Sequence, residues 1–287
     1  MIHITRMKIR LNLIFNQERH HGKNRKKVFF KRWLHRFIMS TLVLLPVFNS
    51  CNTSNEVRIT IATAANVQFA MDTLTTIFEK ETGIKANIIL GSSGKLTAQI
   101  LQGAPYDVFV SANMKYPMEI YNNNLATGKP LVYAHGSLVL WSVKEAIDPG
   151  PVLLTDEKIR KIAIPNPKTA PYGEAAVELL QNTGIFEQVK NKLVYGETIS
   201  QVNQFIISKT ADIGFTSKSV VLSPEMRNTG SWAEMNPKEY TPIQQGVIII
   251  NRKNGHLEHA EKFVTFLLSA TAKGILTEYG YKTDVSQ

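Results

Sequence analysis

Residues 57–112 read VRITIATAANVQFAMDTLTTIFEKETGIKANIILGSSGKLTAQILQGAPYDVFVSA. Three short β-rich runs stand in this stretch: VRITIAT (57–63), KANIIL (85–90) and YDVFVSA (106–112). Between them apolar residues recur at helical spacing, with Ala70, Leu74, Ile77 and Phe78 on one stripe and Leu96, Ile100 and Leu101 on another. Short strands alternating with amphipathic helices predict parallel strands joined by crossover helices. The alternation continues in SLVLWSV (137–143), KIAIPN (161–166), ADIGFTS (211–217) and GVIII (246–250). Further helical stripes lie at Ala176, Leu179 and Leu180, at Val202, Phe205 and Ile206, and at Ala260, Phe263, Val264, Phe266 and Leu267. The expected fold class is therefore α/β, and 287 residues allow one large domain or two modest lobes.

A formal net charge of +10 would by itself suggest nucleic acid or a membrane surface as partner. The distribution of charge removes nucleic acid from consideration. Residues 1–50 hold eleven Lys or Arg and one acid, Glu18, so residues 51–287 carry 22 charges of each sign. A nucleic-acid binder keeps a basic face in its folded part. The basic segment runs into FIMSTLVLLPVF (37–48) and then Asn49, Ser50 and Cys51, the layout of a secretory signal peptide. Twelve residues of helix span roughly 18 Å, too little for a hydrocarbon core of about 30 Å. Cys51 is the sole cysteine, which excludes an internal disulfide and a multi-cysteine metal site. Its place resembles a bacterial lipoprotein cleavage site. The expectation is a leader over 1–50, lipid attachment at Cys51, and an exported, membrane-anchored region 51–287.

Three strand-to-helix junctions share one composition: Ala64-Ala65-Asn66, Gly91-Ser92-Ser93-Gly94 and Thr169-Ala170-Pro171-Tyr172-Gly173. Each places small or hydroxyl-bearing residues at a helix start, where free backbone N–H groups and the positive dipole end favour an anion. Any one of them is ordinary helix-capping or turn chemistry; three of one kind point to a shared ligand. GSSGK is not a phosphate loop, because position 89 is Ile and position 96 is Leu. A hydrolase is not expected either: GSSGK is no nucleophile elbow, and His256 and His259 have no further His or Cys nearby to complete a metal site.

Four segments, IATAANVQFAM (61–71), GSSGKLTAQILQGAPYDVFVSA (91–112), IPNPKTAPYGEAAVELL (164–180) and ETISQVNQFIISKTADIGFTSKS (197–219), resemble the molybdate-binding proteins that serve ABC importers. The resemblance implies the type II periplasmic-binding-protein fold: two lobes, each a mixed, mostly parallel sheet flanked by helices, closing over a tetrahedral oxyanion. The lobes are expected at 56–137 with 251–287, and at 138–250. The ligand set it implies is Asn66 with the adjacent Ala65 backbone, Ser93, Tyr172 and the main-chain N–H of Ile199. Ser217 is a further candidate, standing where some relatives carry a tyrosine hydroxyl. The implied ligand is molybdate or tungstate, with sulfate or another small oxyanion as the alternative. No catalytic residue, cofactor or direct metal ligand is implied. The implied partner is an inner-membrane ABC permease, and the protein is expected to be monomeric. A transcriptional effector of the same fold would need a helix-turn-helix segment where residues 1–50 read as an export signal.

Overall fold

In chain order the strands are β1 (Arg58–Ala64), β2 (Lys85–Gly91), β3 (Val108–Ser111), β4 (Leu131–Gly136), β5 (Leu138–Ser142), β6 (Ile162–Pro165), β7 (Leu193–Gly196), β8 (Ile213–Ser217), β9 (Ser231–Glu234) and β10 (Ile243–Ile249). The computed structural model describes residues 58–253 and 255–283; the leader and Cys51, and with them the expectations of export and lipid attachment, lie outside the described residues. The strands form two five-stranded sheets, ordered β2-β1-β3-β10-β4 and β7-β6-β8-β5-β9. In the first sheet β2, β1 and β3 are parallel, and β10 runs antiparallel to both β3 and β4. In the second, β7, β6 and β8 are parallel, and β5 runs antiparallel to both β8 and β9. Each sheet therefore has four strands pointing one way and one reversed, the mixed, mostly parallel arrangement expected. The reversed strand always borders a chain crossing: β4 passes through Ser137 into β5, and β9 passes through residues 235–242 into β10.

Two sequence expectations need correction. The returning strand was placed at Gly246–Ile250 with residues up to 250 in the second lobe, but β10 starts at Ile243 and lies wholly in the first sheet. Gln244 and Gln245 join the strand ahead of its apolar run, pairing with His135 and Ala134 of β4 before a register shift at Gly246. Three strands, β4, β7 and β9, were not anticipated. All three are sheet edges. An edge strand needs no continuous apolar run, so its pattern is weak.

The helices are α1 (Gln68–Thr82), α2 (Ser93–Leu101), α3 (Lys115–Asn122), α4 (Pro171–Asn182), α5 (Phe186–Val189), α6 (Ile199–Ile207), α7 (Lys218–Val221), α8 (Leu257–Leu267) and α9 (Ala270–Glu278). Helix α1 buries Ala70, Met71, Leu74 and Phe78; of the predicted stripe Ile77 is only half-buried, and Met71 takes a buried place that was not expected. It ends where Gly83 takes a left-handed φ of 71° and donates its N–H to the Glu79 carbonyl. Phe78 meets Phe263 of α8 edge-to-face at 5.3 Å, so α1, α8 and α9 cover one face of the first sheet. Leu96 and Ile100 of α2 and Tyr116 and Ile120 of α3 pack on the other. Burying each large apolar side chain contributes about 1.5–3 kcal/mol. The second sheet builds its own core with α4 and α6, centred on Trp141, Phe215, Leu179 and Val202.

Asp212 clasps the entry edge of the second sheet. Its carboxylate pairs with Lys144 and accepts the backbone N–H groups of Arg160 and Lys161, each at 2.8 Å. Burial pushes its carboxyl up, but the Lys144 and backbone hydrogen bonds outweigh this and hold it below the ordinary aspartate range. A folded-state value lower than the unfolded one means that this stabilisation is present above the ordinary aspartate pKa and is lost as pH falls through the lowered one. Asp212→Asn should therefore be less stable than wild type at neutral pH, and the gap should begin to narrow below about pH 4 and close as pH falls through the lowered value. Thermal melts across pH 2–7 check this; a gap independent of pH would contradict it.

Candidate functional site

The strand-to-helix turns of both sheets meet at one recess. It is lined by Ala64, Ala65 and Asn66 after β1, Gly91, Ser92 and Ser93 after β2, Ala112 after β3, Ala170, Pro171 and Tyr172 after β6, and Ile199 after β7. These are the carboxyl ends of parallel strands, where open α/β sheets take ligands. Three predicted junctions thus converge, and Ile199, the first residue of α6, joins them. The starts of α2, α4 and α6, together with the 3-10 turn Ala65–Val67, aim helix N-termini at one place. None of the lining residues carries a charged side chain. The recess is small, with room for little more than a water-sized body at its centre. A larger groove of about 290 Å³ beside α3 and α4 is lined by Glu174, Glu178 and Lys115, the last paired with Glu174 at 3.7 Å.

Ser93 is fully buried, and its Oγ accepts the Ala112 N–H at 3.0 Å. That bond uses the acceptor side of the hydroxyl and leaves its proton free to donate into the recess. The Tyr172 hydroxyl is 1% exposed as a residue and has no hydrogen-bond partner of good geometry. Burial pushes this phenol well above its ordinary pKa of 10, helped by the neighbouring tyrosines 281, 133 and 240 and opposed by the Asn66 side chain. It remains a protonated, neutral donor throughout the physiological range.

Asn66 is held by contacts that sequence spacing does not reveal. Its Nδ2 donates to Gln245 Oε1 at 2.8 Å and to the Tyr281 hydroxyl at 3.0 Å. Gln245 is itself fixed, donating to the Ala112 carbonyl at 3.3 Å and accepting from the Tyr133 hydroxyl at 3.4 Å. The side-chain donors of Asn66 are therefore spent, and the residue can serve an anion only through its backbone N–H. The Asn66 carbonyl accepts the Ser219 hydroxyl at 2.5 Å and the Ser217 hydroxyl at 3.3 Å. Ser217 therefore does not line the recess as its candidacy required. It sits behind Asn66, its hydroxyl shared with Ser219 at 2.9 Å. Of the predicted residues, Ala65, Asn66, Ser93, Tyr172 and Ile199 come together and Ser217 does not. The reading named Ser92 within its junction but left it out of the ligand set, and it missed Gln245, Ser219 and Tyr281, for which a glutamine heading an apolar run was the one visible signal.

Further bonds tie the two sheets' halves around the recess. The Gly94 N–H donates to the Thr169 carbonyl at 2.9 Å, and the Ser200 hydroxyl donates to Gln68 Oε1 at 2.8 Å.

The family described as bacterial extracellular solute-binding protein matches residues 59–282. The chain belongs to that family. Among its relatives, the molybdate-binding protein ModA of Rhodobacter capsulatus is 38% identical over 228 residues, 78% of this chain and 87% of the relative. ModA of Azotobacter vinelandii is 34% identical over 226 residues, covering 78% of this chain and 89% of the relative. The solved periplasmic molybdate-binding protein of A. vinelandii superimposes with a TM-score of 0.73 at 32% identity, over 80% of this chain and all of that one. The extracellular solute-binding family fits a recess at the carboxyl ends of two mixed sheets, and the match spans both.

Proposed function

We propose that this protein is the extracytoplasmic substrate-binding component of an ABC importer and that it binds molybdate or tungstate. The observation that carries the reading is an uncharged recess at converging helix starts, lined by backbone N–H and hydroxyl donors, in a chain 38% identical to a molybdate-binding protein. A fully deprotonated dianion needs only donors, whereas hydrogenphosphate also brings a proton that asks for an acceptor. With about six to eight aligned hydrogen bonds to a charged ligand, each contributing roughly 1.5–3 kcal/mol, neutral donors suffice for tight binding. Sulfate is smaller and leaves some donors unpaired, at about 1–3 kcal/mol each.

The ligand set is the backbone of Ala65, Asn66 and Ile199 with Ser93 and Tyr172. Two lobes, one per sheet, close over the ion; the crossings at Ser137 and 235–242 act as the hinge. An ion that takes donors from both lobes stabilises the closed form, which a permease can distinguish from the empty one. Cys51 carries the lipid anchor outside the membrane-facing permease. A 27% identical relative from Bacillus subtilis, described as a putative ABC transporter substrate-binding lipoprotein, supports this part. The protein acts as a monomer and carries out no catalysis.

Titration calorimetry with molybdate, tungstate, sulfate and phosphate tests the ligand. Molybdate or tungstate should bind most tightly and phosphate least, and equal or tighter sulfate binding would overturn the assignment. Ser93→Ala should weaken molybdate binding by about 2 kcal/mol, roughly thirtyfold. Unchanged affinity in that variant would remove Ser93 from the ligand set.

A further inference from the structure

Ser92 is the residue immediately before α2, with extended backbone angles of φ −74° and ψ 149°. A serine in this position ordinarily turns its hydroxyl back to accept a backbone N–H of the first turn. Here it does not: the side chain makes no capping bond, and the first turn is closed by the Ser92 carbonyl, which accepts the Leu96 N–H at 3.0 Å. The residue is 4% exposed, and its Oγ has no hydrogen-bond partner. It nevertheless lines the recess, between Gly91 and Ser93. Folding does not ordinarily leave a buried hydroxyl unpaired, so an uncapped, unpartnered serine at a helix start that already faces a recess needs a partner from outside the chain.

We infer that the Ser92 hydroxyl is a further donor to the bound oxyanion, alongside Ser93. This rests on the oxyanion reading of the recess and adds a residue to it. The two hydroxyls differ in what the protein asks of them. Ser93 Oγ also holds the Ala112 N–H, so it serves the fold and the ligand together. Ser92 Oγ holds nothing within the chain, so its bond is made only with the ligand present. The ligand class it recognises is a tetrahedral, fully deprotonated oxyanion, which accepts from two adjacent hydroxyls through different oxygens.

The test compares Ser92→Ala with Ser93→Ala in the full protein, by calorimetric titration with sodium molybdate and by thermal melts without it. Ser92→Ala should weaken molybdate binding about 10- to 100-fold and leave the ligand-free melting temperature unchanged or slightly raised. Ser93→Ala should lose affinity and also melt earlier, because the Ala112 N–H is left buried without its acceptor. Wild-type affinity in Ser92→Ala would overturn the inference while leaving the oxyanion reading intact. A lowered ligand-free melting temperature in Ser92→Ala would also overturn it, by revealing a structural cap. Failure of the wild type to bind molybdate, tungstate or sulfate would instead overturn the oxyanion reading itself.

Discussion

Gly136→Ala should weaken molybdate binding about a hundredfold or more, with both sheets still folded. Gly136 ends β4, one residue before the chain crosses at Ser137 into the second sheet. Its φ is not among the positive ones, so alanine suits the backbone and the obstacle is space. A Cβ there would lie 2.1 Å from the Tyr172 hydroxyl oxygen and 2.8 Å from Gln245 Nε2. Neither neighbour can retreat easily. Tyr172 is buried in the first turn of α4, and Gln245 is pinned by Asn66, Tyr133 and Ala112. Overpacking of this kind costs about 1–3 kcal/mol, more where the surroundings are rigid. The penalty falls on the arrangement in which the Tyr172 phenol is lodged over the crossing, the one in which the recess donors converge. A double variant makes the claim specific. In Gly136→Ala/Tyr172→Phe the clashing oxygen is gone and the nearest ring carbon is 3.1 Å away, so much of the ligand-free melting temperature lost in the single variant should return, while affinity stays low because the phenol donor is gone as well. Normal binding by Gly136→Ala, or no recovery of melting temperature in the double variant, would contradict the wedge.

The sequence was legible where one local pattern decides the outcome. Six of the seven β-rich runs became central strands, which in a mostly parallel sheet are buried on both faces and read as apolar blocks, as IAI before Pro165 does; the seventh, β2, is an edge that happens to carry the apolar run Ile88-Ile89-Leu90. The edges β4, β7 and β9 were invisible for the complementary reason. The junctions at Asn66, Ser93 and Pro171 were legible because three strand-to-helix turns share one composition, whereas Ile199 came only from the family resemblance. The support behind them was not, because it depends on contacts between distant positions. Asn66 reaches Gln245 across 179 residues and Tyr281 across 215, and no spacing rule connects them. Ser217 shows the same limit from the other side. Its place in a matching segment suggested a ligand, but its hydroxyl is spent on the Asn66 carbonyl, holding that turn in place from the opposite sheet. Ser217 and Ser219 therefore bear on binding by orienting Asn66.

Asp107→Ala should separate stability from binding, lowering the former by about 3–5 kcal/mol and leaving the latter near wild type. The Asp107 side chain is 1% exposed and gathers four donors. One oxygen accepts the Thr60 N–H of β1 at 2.7 Å; the other accepts Arg252 Nε at 2.9 Å and Nη2 at 2.7 Å, and the His256 N–H at 3.2 Å. A single carboxylate thus ties the entry of β3 to β1, to the exit of β10 and to the start of α8. Alanine strands two backbone N–H groups and a guanidinium that is itself only 26% exposed, and removing one partner of a buried pair costs more than the pair contributes. For a domain of this size each kcal/mol shifts the melting temperature by about 2–4 °C, so a drop of about 10 °C is expected. The recess lies at the opposite, carboxyl ends of β1 and β3, and none of its lining residues touches Asp107. Titration well below the lowered melting point should therefore return wild-type affinity. A variant that kept its melting temperature but lost its ligand would show that this clasp acts on the recess and not on the fold.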